Sequence, residues 1–258
     1  MKKLGILIGL AIGLISLQCT TPVSSGSGEE DQRRDYFEDL EGAWTITYKL
    51  GDTVQTHLMV FADGYLSYTA FNLDRKEFYY THGGPVEVTK DSLIFTREYF
   101  SSDSSKVGRV DVIPYTVGPE KKRLALFSRY EKWERLDQGT GGELAGAWLI
   151  TGRKRDGEMR KREIGERKTM KILSGTRFQW IAYHTGTGKF SGSGGGTYTT
   201  KEGKYTENIE FFSRDSSRVG ASLEFNYELI GGEWHHSGLS SKGKPIYEVW
   251  TLRSVLGK

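Results

Sequence analysis

One phrase of this chain occurs twice. Residues 210–220 (Glu210-Phe211-Phe212-Ser213-Arg214-Asp215-Ser216-Ser217-Arg218-Val219-Gly220) restate residues 98–108 (Glu98-Tyr99-Phe100-Ser101-Ser102-Asp103-Ser104-Ser105-Lys106-Val107-Gly108) at an offset of 112 positions (210 − 98). The pairs Gly83-Gly84 and Gly195-Gly196 keep the same offset. A long period of this kind marks a duplicated folding unit, so any fold proposed for one half must serve both. Each unit opens alike, at Leu40-Glu41-Gly42-Ala43-Trp44 and Leu144-Ala145-Gly146-Ala147-Trp148, and each closes alike, at Tyr130-Glu131-Lys132-Trp133 and Tyr247-Glu248-Val249-Trp250. The expected division is a leader over 1–18, a tether over 19–37, a first unit over 38–137, a Gly-rich connector to 143 and a second unit over 144–258.

Both units are patterned as strands. Trp44, Ile46 and Tyr48 alternate with Ala43, Thr45 and Thr47, Phe178, Trp180 and Ala182 with Gln179, Ile181 and Tyr183, and Tyr205, Glu207, Ile209 and Phe211 with Thr206, Asn208, Glu210 and Phe212. Period-two runs broken by Asp63-Gly64, Lys90-Asp91, Ser174-Gly175, Glu202-Gly203 and Gly231-Gly232 predict hairpins. With eight or nine strands per unit and no capped 3.6-residue period between 42 and 253, the fold class is all-β, an up-and-down barrel or a sandwich in each unit.

The Gly-x-Trp on the first strand, followed by a meander, resembles the lipocalins and their calycin relatives. The second unit is more closely similar to a lipocalin-like family of secreted bacterial proteins of unknown function, through Gly194-Gly195-Gly196-Thr197-Tyr198-Thr199, Tyr205-Thr206-Glu207-Asn208-Ile209-Glu210-Phe211, Trp234-His235-His236-Ser237-Gly238 and Pro245-Ile246-Tyr247-Glu248-Val249-Trp250. The resemblance implies two tandem lipocalin-like antiparallel up-and-down barrels, the first degenerate. It also asks for a basic residue over the Gly-x-Trp ring, with Arg135 and Arg253 as candidates.

Ahead of the barrels, Lys2-Lys3 and an apolar run from Leu4 to Leu17 fit a secretory signal rather than a membrane span. Cys19, the single cysteine of the chain, follows directly, and this placement resembles a bacterial lipoprotein signal, in which that cysteine is lipidated. A lipid anchor in the cell envelope is therefore expected, with a Ser/Gly/Glu-rich tether after it. Without Lys2 and Lys3 the formal charge is +1 (34 basic against 33 acidic residues), too small for a nucleic-acid binder. The basic stretch from Arg153 to Lys171 is interrupted by Glu158, Glu163 and Glu166 and is expected to form a solvated face.

An eight-stranded barrel has room for its own side chains or for one small ligand. Glu207 lies on the apolar face of its strand, and its counterpart in the first unit is Phe95 (207 − 112). Such an exchange suggests a specialised carboxylate, and Phe95 suggests that Glu207→Phe would be tolerated. Trp234 should point inward and take His236 with it, leaving His235 outside. Glu248 and Trp250 should be inside, by analogy with Glu131 and Trp133, while Glu210, like Glu98, should be solvated. Trp180 and Tyr198 complete an expected wall. The candidate ligand site is thus Trp180, Tyr198, Glu207, His236 and Glu248, for a small hydrophobic or amphipathic molecule. No metal or other cofactor is expected, since adjacent histidines on a strand cannot share one ion. No nucleophile elbow, phosphate loop or reactive cysteine is present, so no catalytic residue is assigned. Two alternatives stay open: side-chain-filled barrels serving as a structural or protein-interaction module, and an acid–base enzyme using Glu207 and His236.

Overall fold

Twice, the alternating strands close into a ring. The computed structural model of the protein describes residues 36–127, 132–139, 142–240 and 242–257; the leader, Cys19, most of the tether and Glu131 lie outside the described residues. The first ring is built from β1 (Gly42–Leu50), β2 (Thr53–Ala62), β3 (Tyr65–Asn72), β4 (Glu77–Val88), β5 (Ser92–Thr96), β7 (Val110–Val117), β8 (Arg123–Leu126) and β9 (Trp133–Asp137), with β6 (Tyr99–Phe100) continuing β5 along β4 past a bulge. The second uses β10 (Gly146–Arg155), β12 (Arg167–Leu173), β13 (Arg177–His184), β14 (Phe190–Lys201), β15 (Lys204–Phe212), β16 (Ser222–Ile230), β17 (Glu233–Leu239) and β18 (Pro245–Leu252), with β11 (Glu158–Lys161) folded back on β10. Neighbours in sequence are neighbours in space, and the β1–β9 and β10–β18 pairings close two antiparallel eight-stranded barrels, an architecture compatible with a lipocalin-like fold. Closure leaves no ring strand with an unpaired edge.

The repeated opening motif has a mechanical role. Trp44 Nε1 donates to the Leu40 carbonyl at 2.8 Å, and Trp148 Nε1 to the Leu144 carbonyl at 2.9 Å. In each case a leucine four residues before the tryptophan satisfies the indole and plugs one end of the barrel with apolar surface. Over Trp44 lies the Arg135 guanidinium, 4.0 Å from the ring centroid. Arg253 takes no such place over Trp148; its guanidinium instead lies 4.0 Å from the Tyr65 ring of the first barrel.

The Gly-Gly pairs serve a bulge. Gly195 pairs with Phe211 but Gly196 with Ile209, so Glu210 is the unopposed residue. A Cβ on Gly196 would meet the Asn208 carbonyl oxygen at 2.0 Å, and one on Gly84 the Thr96 oxygen at 2.0 Å, so only glycine fits opposite either bulge. The bulge reverses the pleat after it. Phe211, expected on the inward face with Tyr205 and Glu207, packs outside the barrel, and Phe212 turns inward onto Trp180 at 5.4 Å between ring centroids. A strict period of two cannot foresee this, because one inserted residue flips every later side chain.

What Phe211 packs against is the other barrel. Leu58, Val60, Phe71 and Tyr99 of the first unit form one buried cluster with Met170, Ile172, Tyr183 and Phe211 of the second. The contacts are related by exchange of the two units: Phe71 meets Phe211 at 5.0 Å, and Tyr99 meets Tyr183 at 4.9 Å (71 + 112 = 183; 211 − 112 = 99). Ser67 hydrogen-bonds to its own counterpart, Gln179 (179 − 67 = 112). The Gln179 amide is fully used: its oxygen also accepts from Thr69 Oγ1 at 3.0 Å, and its nitrogen donates to Thr81 at 2.9 Å and Ser193 at 2.8 Å. Glu98 is not solvated either. It accepts from Arg253 Nη1 at 2.7 Å, Arg253 Nη2 at 2.9 Å, Lys168 at 2.8 Å and the Tyr183 hydroxyl at 2.7 Å, all from the second unit. Its counterpart Glu210 meets Arg177 of its own barrel at 2.6 Å. The connector, too, is tied down: Asp137 accepts from Ala43 N on one side and from Ser174 Oγ, Gly175 N and Thr176 N on the other.

Candidate functional site

The interiors of the two barrels differ. In the first, Trp44, Met59, Phe61, Phe95, Leu124 and Trp133 belong to one buried apolar cluster. The end away from the Trp44 plug is filled by rings: His82 stacks on Tyr68 at 4.7 Å, Tyr80 on Tyr68 at 5.9 Å, and Phe100 meets His82 edge-on at 5.1 Å. Burial, with Arg97 nearby, pushes the His82 imidazole down to about 3, so it is neutral at ordinary pH.

At the positions of Tyr80 and His82 the second barrel has Gly192 and Gly194 (80 + 112; 82 + 112). A Cβ on Gly194 would stand 2.7 Å from Trp180 Nε1 and 2.9 Å from the Phe212 ring, so the missing side chain lets Trp180 lie flat against its neighbouring strand. Where the first barrel holds rings, the second holds a cavity of about 340 Å³. Trp180, Ile209, Phe212, Leu223, Phe225, Ile246 and Trp250 supply its apolar wall, and Arg153, Thr169, Lys171, Glu207, His236, Ser240 and Glu248 its polar groups.

Of the five residues expected there, the structure brings four together. Trp180, Glu207, His236 and Glu248 line the cavity. Tyr198 does not: it is buried toward the plugged end, where its hydroxyl donates to the Ser174 carbonyl at 2.5 Å. His235 points away, toward the Tyr247 hydroxyl at 2.8 Å, as the alternation requires.

Each carboxylate has a cation of its own. Glu207 is bound to Lys171, Nζ to Oε1 2.9 Å, and both side chains are buried. The Lys171 ammonium lies 4.7 Å from the Trp234 ring, 4.8 Å from Tyr205 and 5.3 Å from Trp250, an aromatic cage that suits a desolvated cation. Glu248 pairs with Arg153 through Oε1 and stands 3.5 Å from His236 Nδ1 through Oε2. Burial alone would push the Glu248 carboxyl up, but the His236 contact and the charges of Arg153 and Lys171 hold it well below its ordinary value. Burial, with Lys171 nearby, pulls the His236 imidazole below its ordinary value and keeps it neutral. Around this centre, Trp234 Nε1, Trp250 Nε1 and His236 Nε2 are buried without a hydrogen-bond partner among the described residues. Those residues include no cluster of three or more His, Cys, Asp or Glu able to hold a metal ion.

Alternation alone did not single out Lys171 or Arg153. A signal for the lysine was present: its counterpart is Met59 (171 − 112), so Lys171/Glu207 replaces Met59/Phe95 as a pair. Two apolar positions that become charged together, with opposite signs, point to mutual contact.

No lipocalin family model matches, and no curated protein matches the chain. Residues 143–253, which contain the whole second barrel with its cavity, match the family model described as a domain of unknown function (DUF4488).

Proposed function

We propose that the second barrel binds a small apolar or amphipathic molecule, and that the chain is held at a bacterial membrane by a lipid on Cys19. The carrying observation is the cavity of the second barrel, at the place where the first barrel holds the rings of Tyr68, Tyr80, His82 and Phe100. Its volume is at the low end of the range of about 300–1,000 Å³ usual for small-molecule sites, and its make-up, an aromatic wall with a few placed polar groups, is of the same kind. The buried polar atoms around Lys171 support the reading, since groups of that sort are met by protein, water or a bound molecule. On this reading the first barrel serves as the fixed partner against which the binding barrel is built.

The neutral dye N-phenyl-1-naphthylamine is the probe of choice. It should bind the two-barrel chain at one molecule per chain. Leu223→Trp, which puts an indole into the cavity wall, should weaken binding about tenfold or more while leaving the melting temperature within a few degrees. Unchanged binding in that variant would remove the cavity from the function. The anchor has a separate test: Cys19→Ala should release the protein from the membrane fraction or leave it as uncut precursor. Membrane fractionation of a correctly cleaved variant would exclude the lipid.

A further inference from the structure

The offset between the repeats is not constant throughout. From Trp44 to Trp148 it is 104, whereas from Met59 to Lys171, the residues paired with those two tryptophans across the next ring strand, it is 112. The second unit therefore carries eight additional residues (112 − 104) between its first two ring strands. Where β1 and β2 are joined at Gly51-Asp52, β10 runs on into β11 and a return loop.

The insertion places five arginines together. Arg153, Arg155, Arg160, Arg162 and Arg167 line a second hollow, of about 420 Å³, which shares Arg153 and Thr169 with the wall of the barrel cavity. In the β10–β11 ladder Arg153 stands directly opposite Arg160. Like charges at facing positions destabilise a hairpin, so the local fold does not explain the pattern. The acidic residues nearby neutralise little of it. Glu248 is engaged by Arg153, Asp156 lies 3.7 Å from Arg160 in an exposed pair, and Glu158, opposite Arg155 in the ladder, forms no ion pair among the described residues. Arg155, Arg162 and Arg167 have no carboxylate partner among the described residues. Burial, followed by crowding from Arg153 and Arg167 and opposed by Glu248, pulls Arg162 below the ordinary guanidinium range, as expected where positive charge outweighs its counter-charge. The expected solvated face is thus a concentrated cationic surface at the mouth of a cavity, on an insertion that the filled barrel lacks.

We propose that the second barrel takes an anionic amphiphile, its apolar part in the aromatic cavity and its carboxylate, sulfate or phosphate group held by the arginines of the β10–β11 insertion. Guanidinium groups bind such oxyanions through paired N–H donors, and a field of one sign beside a low-dielectric cleft draws the charged end to the entrance. The inference rests on the cavity-binding reading and adds the chemical class of ligand.

A matched pair of probes separates the two. 1-Anilinonaphthalene-8-sulfonate and N-phenyl-1-naphthylamine share one ring system and differ by the sulfonate. The two-barrel chain should bind the sulfonate about tenfold or more tightly than the neutral dye at low salt, and added sodium chloride should erode that preference alone. Arg155→Gln/Arg160→Gln, both at exposed positions, should abolish the preference without weakening the neutral dye, and Arg160→Glu, which removes the same two units of charge, should do the same. Leu223→Trp should weaken both. Equal affinities for the two dyes in the parent, both lost in Leu223→Trp, would overturn the inference and leave the cavity reading standing. Sulfonate binding that survives Leu223→Trp would also overturn it, by showing an anion site independent of the cavity. If neither dye binds, the cavity reading itself fails.

Discussion

Glu207→Phe, although it imports the residue of the first barrel, should lower stability by about 3–5 kcal/mol, because it leaves the buried Lys171 ammonium without its carboxylate. Sequence comparison alone suggested tolerance; the Lys171–Glu207 contact reverses that expectation. Adding Lys171→Met should recover the loss and bring the double variant to the parent's stability or about 1–4 kcal/mol beyond it, since the pair Met59 and Phe95 already packs in the first barrel. The same double variant fills the centre of the cavity and should no longer bind N-phenyl-1-naphthylamine. Chemical denaturation of the parent, both single variants and the double variant closes the cycle. A costless Glu207→Phe would mean that the ammonium is not dependent on that carboxylate.

A second large effect lies between the barrels. Glu98→Ala removes the oxygens that receive Arg253, Lys168 and Tyr183 and should cost about 3–5 kcal/mol. Glu210→Ala, at the same place in the repeat and at the same bulge, should cost about 1 kcal/mol or less, since Arg177 and Glu210 form a partly exposed pair. The contrast also has a pH signature. Burial pushes the Glu98 carboxyl up, but Arg253 and Lys168 overcome it and hold it at about 2, below its ordinary 4.5. A depressed carboxyl contributes stability that is fully present above 4.5 and is lost as pH falls toward 2, here about 3 kcal/mol. Denaturation midpoints measured across that window should fall less steeply in Glu98→Gln than in the parent, the part due to the similarly depressed Glu248 remaining in both. Equal slopes would show that Glu98 is not an acid-sensitive contact.

The strands, the turns, the inward His236 and the buried Glu248 were legible because each follows from local alternation, and alternation is a property of consecutive residues. The reversal at Phe211 was not, since a single unopposed residue at Glu210 changes the face of all that follow it. Tyr198 was placed on the correct face but at the wrong height: period two fixes a side chain's face and says nothing of how far along the barrel it stands. Glu98 read as solvated because its partners, Arg253 and Lys168, come from the other repeat. The arginines of 153–167 are plain in the sequence, but their convergence depends on the β10–β11 hairpin, which sets residues far apart in the series side by side.

The exchange of Phe71–Phe211 with Tyr99–Tyr183, and the meeting of Ser67 with its own counterpart, give this single chain the contact pattern of a symmetric pair. In a pair of identical subunits every mutation is made twice, so a residue that opens one interior opens both, and a charge buried in one core is buried in the other. Covalent duplication removes that coupling. One half is free to stay solid and carry the shared face, while the other gives up packing at Gly192 and Gly194 and admits Lys171 and Glu207. Asymmetry of this kind is available to a fused duplicate and closed to a homodimer.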